Sequence, residues 1–338
     1  MIPRVTLRLV KTSSLEVFWD EGIVVRVGET VVCLDPQTSE TRYTHVFISH
    51  AHKDHTAGFL IWKSKKYATS STVDLFEATS KRKVSNLRRI AYGEKVKVKD
   101  FEVTAHDSGH ILGSAMFELD TPEGVVVYTG DINCVNTLIT SAANPVECDV
   151  LIIESTYGSP GYVFPSREEI YRNMVKWVVK KIHENRVPTF YVYSVGKAQE
   201  IIKMLNEFTE VEVLIHPTIA RINKIYDNLN IKLEANSLIS AQKNDRCVIV
   251  YPHYTFGSIK SKNEASAIAT GWSLRLKKEN AFPLSGHADF KQLLRFVEET
   301  KPKKVFTCFG STIRLAKQIQ RKLNIEAKPI QNKTGMKH

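Results

Sequence analysis

Hydrophobic and polar positions change rhythm near the middle of this 338-residue chain. In the first 160 residues, short apolar runs alternate with turns. Val5, Leu7 and Leu9 alternate with polar neighbours, Ile23-Val24-Val25 is continuous, and Thr44–Ile48 is a short apolar stretch. Such runs predict strands, and further strands are expected near 101–105, 115–119, 124–129 and 149–154. Residues 71–80 predict a helix. From Pro165 the period lengthens. Ile170, Met174, Trp177, Val178 and Ile182 fall on one face of a helix over 166–185. Strand 189–194, helix 197–208, strand 211–216, helix 218–228 and strand 246–251 follow. That alternation implies a parallel sheet with helices packed on it. Helices over 290–299 and 311–323 flank a last strand at 304–309.

Polar residues gather where the apolar runs stop. After Thr44–Ile48 come Ser49-His50-Ala51-His52-Lys53-Asp54-His55. Imidazole nitrogens and carboxylate oxygens are the donors that borderline divalent metals take. A solvated turn rarely holds three histidines and an aspartate in six positions. Complementary groups recur later. His110 lies in Gly109-His-Ile-Leu-Gly-Ser114, and Asp131 ends Tyr128-Thr-Gly-Asp131. Glu154 closes the apolar run Val150–Ile153. His287 and Asp289 lie in Leu284-Ser-Gly-His-Ala-Asp289, at a helix start.

These motifs, in this order, resemble a metallo-β-lactamase-fold hydrolase. Glu154-Ser-Thr-Tyr-Gly158, Gly196-Lys-Ala-Gln-Glu200, Ala269-Thr-Gly-Trp-Ser273 and the His287 motif narrow the resemblance to the β-CASP nucleases. That branch includes RNase J, cleavage-and-polyadenylation endonucleases, Artemis-type repair nucleases and small DNA-ligase-associated exonucleases. The fold it implies is α/β, a metallo-β-lactamase αββα sandwich with an inserted β-CASP domain. The sandwich would take residues 1–160 and 281–338, and the insert 161–280.

The resemblance also implies roles. His50, His52 and His110 would hold one zinc ion, with Asp131 shared. Asp54, His55 and Asp131 would hold a weaker second ion, zinc, manganese or magnesium, unless Asp54 acts only by supporting a ligand. His287 looks like a general acid oriented by Glu154, and Asp54 counts with these two among the catalytic groups. Asp289 is expected to tie down a ligand histidine or, with Ser285, to touch substrate. Ser194 and Lys197, at a helix start, either contact phosphate or serve as an ordinary cap and a solvated lysine. Tyr251, His253, Tyr254, Phe256 and Trp272 read more as interdomain core than as base-stacking groups. RNA-processing members end a late strand in His-Gly. Here the strand reads Lys304-Val-Phe-Thr-Cys-Phe309-Gly310, and a phenyl ring cannot ligate metal. Cys308 points to the opposite face of that strand. Repair-type members also lack the histidine, so the substrate lean is DNA over RNA, with repair or processing proteins as partners.

Composition narrows the class. Lys and Arg number 47 against 36 Asp and Glu, a net charge of +11. Groups such as Lys81-Arg82-Lys83, Arg88-Arg89 and Lys95, Lys97, Lys99 suit a polyanionic partner. A small-molecule hydrolase needs neither that charge nor an inserted clamp. A non-catalytic nucleic-acid binder that lost its second metal would not need every first-site ligand candidate, and all of these are present. No apolar run reaches the roughly 18 residues of a membrane helix, and Met-Ile-Pro-Arg has no signal-peptide pattern. Five scattered cysteines without a Cys-x-x-Cys pair read as reduced thiols of a cytoplasmic protein.

Overall fold

The computed structural model describes residues 14–239, 246–257, 263–276 and 278–332. The alternation at Val5, Leu7 and Leu9 lies outside them. The first apolar runs form β1 (Glu16–Trp19), β2 (Ile23–Val27), β3 (Thr30–Leu34), β4 (His45–Phe47), β5 (Lys65–Thr69) and β6 (Leu87–Ile90), adjacent in that order. Pairing is antiparallel from β1 to β3 and parallel from β3 to β6. Helix α1 (Ser70–Ser80) joins β5 to β6, capped by Thr69 Oγ1, which accepts from the Thr72 N–H at 3.2 Å. A second sheet begins with β7 (Lys95–Val98), β8 (Phe101–Asp107), β9 (Ala115–Thr121), β10 (Gly124–Tyr128) and β11 (Val150–Ser155).

The chain then builds a third, wholly parallel sheet from β12 (Val187–Val192), β13 (Glu212–Ile215), β14 (Asn236–Ser237), β15 (Cys247–Pro252), β16 (Glu264–Ala269) and β17 (Ala281–Phe282). Helices α2 (Arg167–His183), α3 (Lys197–Phe208) and α4 (Pro217–Asp227) belong to this stretch. After α5 (Phe290–Thr300) the chain returns to the second sheet as β18 (Lys304–Gly310), and α6 (Thr312–Leu323) leads to β19 (Glu326–Pro329). Strand β18 lies parallel beside β11, with Val150 opposite Lys304.

Side chains alternate across a strand, so each sheet feeds two layers. Val25, Val27, Phe47 and Tyr67 of the first sheet meet Phe117, Val126, Tyr128 and Ile152 of the second. Val24, Val46 and Ala68, on the other face of the first sheet, pack on Val73 and Phe76 of α1. Val127, Leu151 and Val305, on the outer face of the second, pack on Leu293 and Val297 of α5 and Leu315 and Ile319 of α6. The result is the αββα sandwich, and the third sheet packs with α2, α3 and α4 in a core that also takes in Ala51, Leu75 of α1 and Ile111. Among the described residues, no helix is long and apolar enough to cross a membrane.

Expected helices fall within one to three residues of the observed ones, but the strand expected to reach Ser194 ends at Val192. Strands β5, β6, β7 and β16 were not expected, because charged or alanine-rich segments hide the period. Lys66 shows the cost being met: its buried Nζ donates to the carbonyls of Ser64 at 3.1 Å and Ser85 at 2.8 Å.

Asp289 corrects one expectation. Its Oδ1 accepts from the Gln292 N–H at 2.9 Å, capping α5, and its Oδ2 accepts from the Phe164 N–H at 2.9 Å. Both oxygens are used by backbone, so the carboxylate serves helix initiation and not a histidine. Asp289→Ala is expected to destabilise the fold by about 1–2 kcal/mol, read as a lower denaturant midpoint.

Candidate metal centre

Strands β8, β10, β11 and β18 run in one direction, and β3 and β4 share theirs. Their C-terminal ends carry His110, Asp131, Glu154, Phe309, Asp35 and His50. His50 is fully buried. Ser49 Oγ gives its one proton to Asp35, so it accepts from His50 Nδ1 at 2.9 Å. His52 Nε2 faces the Val195 carbonyl at 3.4 Å, and His110 Nδ1 faces the Gly286 carbonyl at 2.7 Å. A carbonyl only accepts, so these nitrogens donate.

In neutral rings, the remaining nitrogens carry lone pairs. Burial and the neighbouring imidazoles push the pKa values of His50 and His110 well below the usual range, and burial lowers that of His52 to about 4. The lone pairs converge. His52 Nδ1 and His110 Nε2 are 3.0 Å apart, and Asp131 Oδ2 lies 3.3 Å from His50 Nε2 and 3.6 Å from His110 Nε2. His50 Nε2 is buried with no hydrogen-bond partner. Ligand atoms of His50, His52, His110 and Asp131 all lie within 4.8 Å of one another. Facing lone pairs repel, and an unsatisfied buried acceptor costs about 1–3 kcal/mol. A divalent cation removes both penalties, so the cluster fits a metal.

The other half of the motif is built differently. His55 Nδ1 donates to Asp35 Oδ2 at 2.7 Å, leaving Nε2 at 3.7 Å from both Asp54 Oδ2 and Asp131 Oδ2. Burial disfavours charge on His55, but Asp131, Asp35 and Asp54 outweigh it and raise its pKa to about 10. Asp35 was not anticipated from the sequence. It is buried, and it also accepts from the Ser49 N–H at 2.6 Å and the Tyr128 hydroxyl at 2.7 Å. Its signal was the one that marked Glu154, a lone acid ending an apolar strand.

Glu154 is buried beside the cluster and accepts from the Ile132 N–H at 2.9 Å, the Thr156 N–H at 3.2 Å and His287 Nδ1 at 2.9 Å. Burial raises its pKa, but the His287 charge and these donors outweigh it and hold the carboxyl low. Conversely, burial opposes charge on His287, yet Glu154 and Asp131 raise its pKa to about 9. Both carboxylates thus favour the charged form of the ring, and Glu154 orients it.

These groups open into a cleft of about 540 Å³ lined also by Lys197, Tyr193, Trp272 and Ser285. Ser285 Oγ accepts from the His287 N–H at 2.9 Å, and its carbonyl accepts from Arg167 Nη2 at 2.7 Å. Lys197 Nζ lies 5.2 Å from the centre of the Tyr193 ring. Burial lowers its pKa to about 8, against the opposing Glu200 charge. Ser194 does not line the cleft or cap α3. Gly196 is the cap residue, its N–H held by Gln199 Oε1 at 2.7 Å.

A family model described as a β-lactamase superfamily domain matches residues 19–216. A probable DNA ligase of Opitutus terrae is 30% identical over 83% of this chain and 28% of its own length. An RNase J-like protein of Methanocaldococcus jannaschii is 31% identical over 59% of this chain and 51% of its own. Cleavage and polyadenylation specificity factor subunit 3 of Dictyostelium discoideum is 32% identical over 40% and 17% respectively. The chain belongs to the β-CASP group of the β-lactamase superfamily. It spans only part of these relatives.

Within this β-CASP chain, Phe309 stands at a register shift. Glu154 pairs with Cys308 but Ser155 with Gly310, so Phe309 is the extra residue, at φ +52°. Its ring meets His55 edge-on with centroids 5.2 Å apart, and Trp19 at 6.1 Å. Cys308 is buried in the core between the sheets, and Phe309 packs against the same cluster because the bulge breaks the alternation between the two. The aromatic expectation divides. Tyr251 is core, stacked on Tyr191 at 5.5 Å, but His253, Tyr254, Phe256 and Trp272 are exposed. Much of the basic surface is already paired: Lys83 with Glu77, Arg88 with Glu94, Arg89 with Asp74, Lys95 with Glu102, and Lys303 with Asp149. Those pairs weaken the case for phosphate contacts there.

Removing Asp35 strands buried His55 and three further donors, the Ser49 N–H and hydroxyl and the Tyr128 hydroxyl. Asp35→Ala is expected to cost about 3–5 kcal/mol, measured by chemical denaturation, with Asp35→Asn costing less.

Proposed function

We propose that this chain is a metal-dependent nuclease that hydrolyses phosphodiester bonds of nucleic acid, acting as an exonuclease on DNA ends. The observation that carries the reading is the His287–Glu154 pair set against the three-histidine cluster: the ring that Glu154 orients stands 3.9 Å from the carboxylate that two candidate metal sites share. His50, His52, His110 and Asp131 would hold one ion, which we assign as zinc. Asp54, His55 and Asp131 would hold the second, with zinc, manganese or magnesium as candidates. A divalent ion there supplies Lewis acidity and offsets the charge of the phosphodiester. His287 then gives its proton to the leaving oxygen, while Glu154 fixes the ring and keeps it charged. Lys197 contacts a phosphate in the cleft, and residues 161–280 form the domain that clamps the strand.

Phe309 in place of a histidine supports DNA, because repair-type members share that lack. The RNase-type names of several relatives favour RNA as the second reading. End-labelled single- and double-stranded DNA and RNA, with and without a 5′ phosphate and across several metals, decide between them. RNA cleavage with inert DNA would reverse the substrate assignment.

His287→Ala should lower kcat by about 10²–10⁴-fold with metal content unchanged. Asp131→Ala should lose both metal and cleavage, and cleavage surviving that change would sink the mechanism. Phe309→His should raise the metal bound per chain by one equivalent in elemental analysis. An unchanged stoichiometry would show that the ring does not limit the second site.

A further inference from the structure

Two aromatic walls flank the histidine cluster, and each leaves a large ring exposed. On one side, Tyr193 lies 6.0 Å from His52 and 4.7 Å from His253, which is followed by Tyr254 at 6.1 Å, all between ring centroids. On the other side, Tyr157 lies 5.9 Å from His287 and backs Trp272 at 4.8 Å. His52, His110 and His287 are themselves neighbours, with centroids 4.8 and 4.5 Å apart, so the walls stand on either side of the reacting groups. Tyr193 and Trp272 both line the cleft, yet they remain 52% and 48% exposed. Each ring is fixed by other rings while about half its surface is open to the cleft. Large exposed aromatics are costly to leave in water and mark contact surfaces.

We propose that Tyr193 and Trp272 each receive one unpaired nucleobase, from the two nucleotides flanking the scissile phosphate. The proposal rests on the nuclease reading and adds its substrate form: a strand unpaired on both sides of the bond to be cut. A base inside a duplex has both faces occupied by stacking and offers only its edges, so it cannot lie on either wall. Every base has a π-face, so recognition of this kind tolerates sequence. Charge fits the same ligand. Lys197 Nζ, over one face of the Tyr193 ring, adds a cation to the same wall and leaves the ring's other face for a base. Gly271 keeps the second wall tight. A Cβ there would stand 2.5 Å from Tyr157 Cζ, so the turn that carries Trp272 approaches Tyr157 only without a side chain.

The test reads binding, with a chelator present so that no strand is cut. A fluorescein-labelled single strand is titrated by anisotropy against the full chain. Tyr193→Ala and Trp272→Ala should each weaken binding about tenfold, while Tyr193→Phe and Trp272→Tyr recover most of it. A fully abasic strand of equal length should bind the unaltered chain weakly and lose little more with either alanine variant. Alanine variants that bind the intact strand like the unaltered chain would overturn the proposal, as would equal binding of intact and abasic strands. Cleavage is measured separately with metal restored. Strand binding of the expected kind without cleavage would reject the nuclease reading and leave the stacking sites standing.

Discussion

The site depends on where three imidazole protons point. Each ring of the His50, His52 and His110 cluster directs one N–H away from the centre, to Ser49 Oγ, the Val195 carbonyl and the Gly286 carbonyl. Those acceptors come from three separated stretches of chain. Ser49 is local to the motif, Val195 lies at the entry to α3 beside the third sheet, and Gly286 sits just before α5. The inward lone pairs are therefore oriented only when the third sheet and the C-terminal return are both docked. Gly196 permits the approach of the Val195 stretch. Its φ is +85°, and a Cβ there would fall 2.4 Å from Ile111 Cγ2.

Three buried carboxylates share this region, and their surroundings separate their tasks. Asp35 and Glu154 are each held by several backbone or side-chain donors, which spends their negative charge inside the protein. Asp131 instead stands 3.3–3.7 Å from nitrogens of His50, His55 and His110. Burial raises its pKa to about 6, against the charges of His55 and His287. It is the carboxylate with most to gain from a cation. That difference divides a structural acid, an orienting acid and a ligand acid within one network.

The sequence made strand ends visible because polar donors interrupt apolar runs there, and His50, His110, Asp131, Glu154 and His287 all carry that mark. Their convergence was legible only through the motif order. Asp35 follows Thr30–Leu34 with the same mark, but a single acid before a proline reads as a turn. The carbonyls of Val195 and Gly286 were beyond reach, because every residue has one and only the fold selects which is used. Tyr193 went unnoticed, and Trp272 was read as core, for a related reason. Residue type reports that an aromatic ring prefers burial, while the face it presents is set by tertiary packing. The surface ion pairs likewise join residues such as Asp149 and Lys303, whose proximity follows from the return of β18 to β11.

Phe309 shows how a single position redistributes the site. A bulky residue at positive φ costs of order 1–3 kcal/mol and persists only where packing overdetermines it. Here the ladder supplies the constraint. Ser155 Oγ donates to the Cys308 carbonyl at 2.8 Å and also to that of Phe309, while the ring is caught between Trp19 and His55. The bulge turns the side chain out of the strand's alternation and onto the edge of the cleft. At that point a side chain with a nitrogen would face His55, and a phenyl ring covers it instead. What is left for a second cation is Asp54, whose side chain is 72% exposed, together with His55 Nε2 and the shared Asp131. A carboxylate that exposed is well hydrated, so a cation there would be held less firmly than one at the histidine cluster.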